Sequence, residues 1–373
     1  MVFPTSEKGV TLALSEAFMN IFDEMEKYGH EELVFWYDKT TGLKAMVGIH
    51  DTTLGPALGG CRMWPYNSED EAITDVLRLS RGMTYKNAAM GLDLGGGKSV
   101  IWADSRTDKN EALLRAFGRL IESLGGRYIT AEDVGINADD MATVARETRF
   151  VGGLKETSGD PSPATAVGVL EGMKAAAQMV YGSSNLKGKH VAIQGMGHVG
   201  SILAGLLKEE GARLTVTDIH PEESRARAEE LGAEWVEPDA IFGVDADIFA
   251  PCALGAILND DTIPQLKVKI VAGSANNQLK EPRHGLDLMR RNIVYVPDYV
   301  INGGGVVNVA DEFQQGGYHR ERAYGRVRQI GRQVGEILKR SAAESIPSQD
   351  AADQLAENRI HTLGRIQSTY LPE

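Results

Sequence analysis

Cysteine is almost missing from this chain: there are two in 373 residues, Cys61 and Cys252, and neither has partners at metal-ligand spacing. A disulfide framework is thereby excluded, no metal site is expected, and free thiols point to a reducing compartment. Basic charge is also in deficit, with 39 Lys and Arg against 52 Asp and Glu and a net charge of −13. That balance disfavours nucleic acid or an anionic membrane as a partner and favours solubility. No apolar run approaches the ~18 residues of a membrane span, and no basic-then-apolar leader is visible, so a cytoplasmic protein is expected. Internal repeats and low-complexity tracts are absent too. What remains is ordinary globular composition, 42% hydrophobic and 24% charged, over a length that suits two domains better than one core.

The spacing of apolar residues predicts an α/β protein. Residues 1–30 read as a polar entry into an amphipathic helix with Leu14, Phe18, Ile21 and Phe22 on one face. Strands are expected at 33–37 and 43–50, paired across a turn, and the 55–60 stretch reads as a rigid loop. The clearest helix is 110–124, where Leu113, Ala116, Phe117, Leu120, Ile121 and Leu124 keep the i, i+3, i+4, i+7 pattern and two glycines stop it. A strand over 127–130 follows, then a helical segment at 139–148. Gly152-Gly153 and residues 158–163 read as a hinge, with Ser162 as N-cap and Pro163 as first residue of a helix to 180. From 189 onward strands (189–194, 213–217, 248–250, 270–272, 293–296) alternate with helices (199–210, 221–231), which is the pattern of a parallel, doubly wound sheet. The tail, 320–368, reads as two charged helices.

One stretch, residues 78–99, organises the chemistry. A periodic helix carries Ile73, Val76, Leu77, Ser80 and Met83 and delivers Lys86 near its end; past Gly95-Gly96-Gly97 comes Lys98. The three glycines are expected to let backbone approach a ligand closely. Two ammonium groups near one pocket repel, an arrangement suited to one lysine meeting an anion and the other acting neutral, as a base. Asp133, just past the 127–130 strand, is placed for the same cleft.

A second signal lies at 195–200, where Gly195-Met196-Gly197-His198-Val199-Gly200 follows a strand and opens a helix, and Asp218 ends the next strand 18 residues past Gly200. The glycines allow a tight turn and close approach to a pyrophosphate, and the helix N-terminus supplies donors and a positive dipole. Asp218 is expected to hydrogen-bond the adenosine ribose and repel a 2′-phosphate; Ile219 and His220 follow it, with no arginine, so NAD is expected over NADP.

With these residues in view, the chain resembles the glutamate/leucine/phenylalanine/valine dehydrogenase family along nearly its whole length. The carrying motifs are Gly-Pro-Ala-Leu-Gly-Gly (55–60), Gly-Met-Thr-Tyr-Lys-Asn (82–87), Leu-Gly-Gly-Gly-Lys (94–98), Tyr-Ile-Thr-Ala-Glu-Asp-Val-Gly (128–135), Ala-Pro-Cys-Ala-Leu-Gly (250–255), Gly-Ser-Ala-Asn-Asn-Gln-Leu (273–279) and Pro-Asp-Tyr-Val-Ile-Asn (297–302). The resemblance implies an N-terminal α/β substrate domain (1–152, rejoined by C-terminal helices 345–373) and a Rossmann domain (153–344) with a cleft between. It implies that Lys86 binds the substrate α-carboxylate, Lys98 is the base that activates water, and Asp133 exchanges protons with the amino group. Gly59 and Gly60 would border the substrate, Met83 would lie beside it, and Asn277 would help hold it. Thr165 and Asn276 would face the nicotinamide. Leu58, Ala131, Val306 and Val309 would surround the side chain.

The implied reaction is reversible NAD-dependent oxidative deamination of branched-chain L-amino acids, by a homo-oligomer of the leucine-type branch. The phenylalanine-type branch is the alternative, since Cys61 in Gly-Gly-Cys-Arg-Met is similar to that branch, and Gly303–Gly305 depart from the family's usual alanine. Two other classes fit less well. A non-catalytic NAD-binding regulator would be expected to have lost Lys86, Lys98 or Asp133, and a 2-hydroxy-acid dehydrogenase would want a histidine–arginine pair. Glutamate-type relatives carry lysine where Leu58 stands.

Overall fold

The computed structural model describes residues 19–366 and 369–372; Leu14 and Phe18 of the expected first helix lie outside them. The N-terminal lobe runs α1 (Ile21–Tyr28), β1 (Glu32–Asp38), β2 (Leu43–Asp51), β3 (Ala57–Trp64), α2 (Glu69–Ala89), β4 (Gly95–Trp102), α3 (Glu111–Ser123), β5 (Tyr128–Ala131) and α4 (Ala138–Val144). Its five strands lie in the order β1-β2-β4-β3-β5. β2 is antiparallel to both β1 and β4, whereas β3 runs parallel to β4 and β5. Helix α3 buries Leu113, Phe117, Leu120 and Ile121 on the sheet, each worth about 1.5–3 kcal/mol. In α1, Ile21 packs inward but Phe22 is 80% exposed, so the expected apolar face does not include it.

Helix α2 starts because the Ser68 side chain accepts from Glu71 N–H and three acidic residues occupy its first turn, where the helix dipole favours negative charge. It lies unusually close to the sheet. A Cβ on Gly96 would stand 2.0 Å from Thr84 N, so only glycine lets this helix reach the distance at which Lys86 and Lys98 share a cleft. The 95–97 glycines therefore begin strand β4 rather than form a loop, and their close approaches are to the Asp51 and Gly55 carbonyls (Gly95), to α2 (Gly96) and to the Tyr128 ring (Gly97). Likewise the expected loop at 55–60 is already strand from Ala57 onward.

Two histidines, half-buried His30 and buried His50, lie beneath α2. His30 Nε2 lies 2.8 Å from Ser80 Oγ and 3.1 Å from the Leu77 carbonyl, while His50 Nε2 donates to the Tyr28 carbonyl at 2.8 Å. Their rings are 4.8 Å apart. Burial, reinforced by the neighbouring His50, pushes His30 down from 6.5 to about 3, and burial also lowers His50. Both folded values lie below the unfolded one, so these groups contribute stability above pH ~6.5 that is lost as the pH falls toward about 3. Melting temperature is expected to drop through that window, and His30→Gln to flatten the drop. A parental acid limb in the variant would remove the pair from acid unfolding.

The C-terminal lobe continues through α5 (Ser162–Tyr181), β6 (His190–Gln194), α6 (His198–Glu209), β7 (Arg213–Thr217), α7 (Pro221–Leu231), β8 (Glu234–Trp235), β9 (Ile248–Pro251), β10 (Ile270–Val271), α8 (Arg283–Arg290) and β11 (Val294–Tyr295). Five further helices follow among the described residues: α9 (Asp298–Ile301), α10 (Gly304–Ala310), α11 (Arg320–Val327), α12 (Ile330–Glu344) and α13 (Ser348–Gly364). The six strands are all parallel, in the order β11-β10-β9-β6-β7-β8. Strand order reverses between β6 and β9, the switch point where such sheets open a crevice for ligands.

Two expectations need correction, and one strand is unanticipated. Ser162 does not cap α5; its N–H donates to Asp160 Oδ1 at 2.8 Å, because Pro161 is already helical. The tail holds three helices, α12 ending at left-handed Ser345 two residues before Pro347, which cannot continue a helix. Two-residue β8 is too short to leave a periodic signal. Helix α13 returns to the N-terminal lobe. Arg359 meets Asp93 at 2.7 Å, the Tyr85 hydroxyl donates to Glu357 at 2.8 Å, and Ala356 packs with Leu54 and Ala88.

Candidate active site

A cavity of about 290 Å³ separates the lobes and has two unlike ends. The polar end is built from the last turn of α2, from β4 and from the exit of β5. Lys98 Nζ lies 3.2 Å from Asp133 Oδ2, and Arg62 Nε donates to the same oxygen at 3.2 Å. Burial alone would raise the Asp133 carboxyl, but the Lys98 and Arg62 charges outweigh it and hold it below the usual carboxylate range. Lys86 is half-buried, and its Nζ donates to Asn302 Oδ1 at 2.7 Å. Burial, with the Lys98 charge adding to it, pushes Lys86 down to about 8 against the opposing pull of Asp298 and Asp133. A carboxylate arriving here would supply the counter-charge that this ammonium lacks.

The apolar end is formed by Leu58, Met83, Ala131, Val306 and Val309, with Gly59 and Gly60 between the two ends. Glu132 also lines the cavity, its carboxyl raised by burial and by the charges of Asp160 and Asp133. Cys61, on β3, is fully buried and does not line the cavity.

Across the cleft, Thr165, Val199, Asn276 and Asn302 complete the wall. Asn302 joins the two sides, since its Nδ2 donates to Asn276 Oδ1 at 2.6 Å while its Oδ1 holds Lys86. Asn277 is not brought to the wall. It is exposed, left-handed at φ 52°, and its carbonyl accepts from Ala256 N–H.

The 195–200 loop has the shape of a dinucleotide cradle. Gly195 has φ 100°, and a Cβ on Gly200 would stand 2.0 Å from the Gly195 carbonyl, which lets α6 start hard against the strand. A Cβ on Gly197 would meet nothing within 4 Å, so the loop's outer side is open. No side chain caps α6, leaving its first amides, from His198 onward, facing that space as an anion would require. Asp218 accepts from Met196 N–H at 2.7 Å and from His220 N–H at 3.0 Å. It thus braces the loop as well as presenting a carboxylate at the end of β7.

Arg62 and Asn302 carry no role in the sequence reading. Strand alternation puts Leu58, Gly60 and Arg62 on one face of β3, a signal that could have found Arg62. Asn302 acquires its position only when α9 crosses the cleft.

Fold and cleft together define a two-lobed, dinucleotide-dependent dehydrogenase. The chain belongs to the glutamate/leucine/phenylalanine/valine dehydrogenase family. The "Glu/Leu/Phe/Val dehydrogenase, dimerisation domain" profile matches residues 31–150, and the "Glutamate/Leucine/Phenylalanine/Valine dehydrogenase" profile matches 152–220 and 215–367. It is 58% identical to leucine dehydrogenase of Thermoactinomyces intermedius, over 95% of this chain and 97% of that one. It is 57% identical to leucine dehydrogenase of Geobacillus stearothermophilus, over 95% and 96%. Among solved structures, L-tryptophan dehydrogenase from Nostoc punctiforme superposes with a TM-score of 0.82 at 44% identity, covering 93% of this chain and all of that one.

Proposed function

We propose that this protein is a leucine dehydrogenase, oxidising branched-chain L-amino acids to 2-oxo acids and ammonia with NAD, reversibly. The observation that carries this reading is the division of one cavity into a lysine-bearing end and an end of aliphatic side chains. The family membership and the identity to leucine-oxidising relatives support it. We further read the chain as two domains, 1–152 with 345–373 and 153–344, acting as a cytoplasmic homo-oligomer.

The geometry supports the residue roles that the family resemblance implies. Lys86, oriented by Asn302, pairs with the substrate carboxylate and sets Cα toward the Rossmann side. The 195–200 cradle fits a dinucleotide, which the loop amides, Asp218, Thr165 and Asn276 would hold; bound there, it would supply the hydride acceptor. Loss of hydride from Cα leaves an iminium that water must attack. Lys98 takes the proton of that water, and Asp133 exchanges protons with the nitrogen that departs as ammonia. The 3.2 Å contact couples the two, so the pH profile belongs to the pair rather than to either residue. Initial rates with leucine, valine, isoleucine, phenylalanine, glutamate and a 2-hydroxy acid, each with NAD and NADP, test the reading. No reaction with any amino acid would favour a non-catalytic NAD-binding protein.

The cofactor preference is expected to reside in Asp218. Asp218→Ser should narrow the gap in kcat/KM between NAD and NADP, because a carboxylate repels a 2′-phosphate whereas a hydroxyl can donate to it. Its bracing of Met196 N–H predicts some loss of NAD affinity as well. Equal use of NAD and NADP by the parent enzyme would refute the ribose assignment.

A further inference from the structure

Arg62 stands between two cavities. On the cleft side its Nε donates to Asp133; on the far side its Nη1 donates to Asp75 Oδ2 at 2.9 Å. The same Asp75 oxygen accepts from the Tyr66 hydroxyl at 2.7 Å. Beyond them opens a second cavity of about 670 Å³, lined by Arg62, Tyr66, Asp70, Asp75 and Arg78 among others. Asp75 sits on α2, the helix that also carries Lys86.

We propose that Asp75, clamped by Tyr66, is a positioning residue for deamination: it fixes the Arg62 guanidinium and, through it, the Asp133 carboxylate and its Lys98 partner. The inference rests on the reading of Lys98 and Asp133 as the acid–base pair. A guanidinium is a rigid planar fork, so engaging it at both Nε and Nη1 sets its orientation and hence the place of the carboxylate it serves. With Asp75 removed, Arg62 is held from one side only, and its free end faces the second cavity.

Charge gives the test its sign. Asp133 and Arg62 are faced by Lys98 on β4, Lys86, Asp70, Glu71, Asp75 and Arg78 on α2, Glu132 after β5, and the Lys109–Asp140 pair behind the 133–136 turn. Among the described residues, Asp75 and Asp133 are the carboxylates in ion pairs with Arg62. Asp75→Asn deletes a negative charge and should shift the acidic limb of kcat/KM for L-leucine oxidation down by about half a pH unit. Arg62→Gln deletes a positive charge and should shift it up by about one unit. Both should lower kcat about 10-fold through misplacement of Asp133. The charge-keeping variants Asp75→Glu, Arg62→Lys and Tyr66→Phe should lower kcat yet leave the limb in place.

Displacement of the limb in the same direction by Asp75→Asn and Arg62→Gln, or no displacement by either, would overturn the proposal. Should Asp75→Asn not fold, Arg62→Gln against Arg62→Lys carries the same contrast, and a limb moved equally by both would overturn it. A parent enzyme that oxidises no amino acid defeats the underlying assignment instead, so the two failures are distinct.

Discussion

Lys98→Ala is expected to lower kcat for leucine oxidation by roughly 10²–10⁴-fold, the range of a positioned general base, while NAD affinity stays close to the parent's. The separation follows from geography. Lys98 projects from β4 of the N-terminal lobe, whereas the dinucleotide cradle is built from the β6–α6 loop and the end of β7. Removing the ammonium leaves Asp133 paired with Arg62 alone, which holds the carboxylate in place but accepts no proton at neutral pH. Hydride transfer then yields an iminium with no base to activate its water. Steady-state kcat together with NADH fluorescence titration checks both halves. Near-normal turnover would remove Lys98 from the mechanism, and loss of cofactor binding would show that the lysine holds the lobes together instead.

Glutamate is expected to lose to leucine by at least about 10³-fold in kcat/KM. Leu58 is 1% exposed at the apolar end of the cavity, among Met83, Ala131, Val306 and Val309, and none of these can pair with a γ-carboxylate. An unpartnered buried charge costs several kcal/mol, and each ~1.4 kcal/mol is a decade. Discrimination among leucine, isoleucine and valine must be softer, since one methylene is worth only about 1–3 kcal/mol. Phenylalanine is the closer rival, because only size opposes it. Ala131→Gly should therefore shift the leucine-to-phenylalanine ratio toward phenylalanine. The phenylalanine-type residue Cys61 should matter little, being buried out of contact with the cavity. A parent enzyme that prefers phenylalanine would refute the pocket assignment.

Much of this was legible without coordinates because the signals were local. The turn-and-helix geometry of the 195–200 loop depends on glycines a few residues apart, and Lys86 and Lys98 are carried by one helix and one strand that are neighbours in sequence. Helix α3 was legible for the same reason: its apolar stripe satisfies the 3.6-residue period within itself. What Gly95–Gly97 pack against was not legible: a glycine's neighbours depend on what docks above it, and here these are the 51–55 backbone, α2 and the Tyr128 ring.

The sequence by itself determined the parallel dinucleotide-type sheet, the two lysines and Asp133, since each rests on residue type and short-range spacing; the apolar residues proposed for the side-chain pocket came from the family resemblance. Only the tertiary structure decided how they are joined. It brought Arg62 from β3 and Asp75 from α2 onto either side of one guanidinium. It also ran Asn302 across the cleft to Lys86, 216 residues away, and left Asn277 outside the wall. Contacts between residues so far apart depend on how whole elements dock, and docking is set by the summed packing of two lobes and the returning α13, which no stretch of sequence contains.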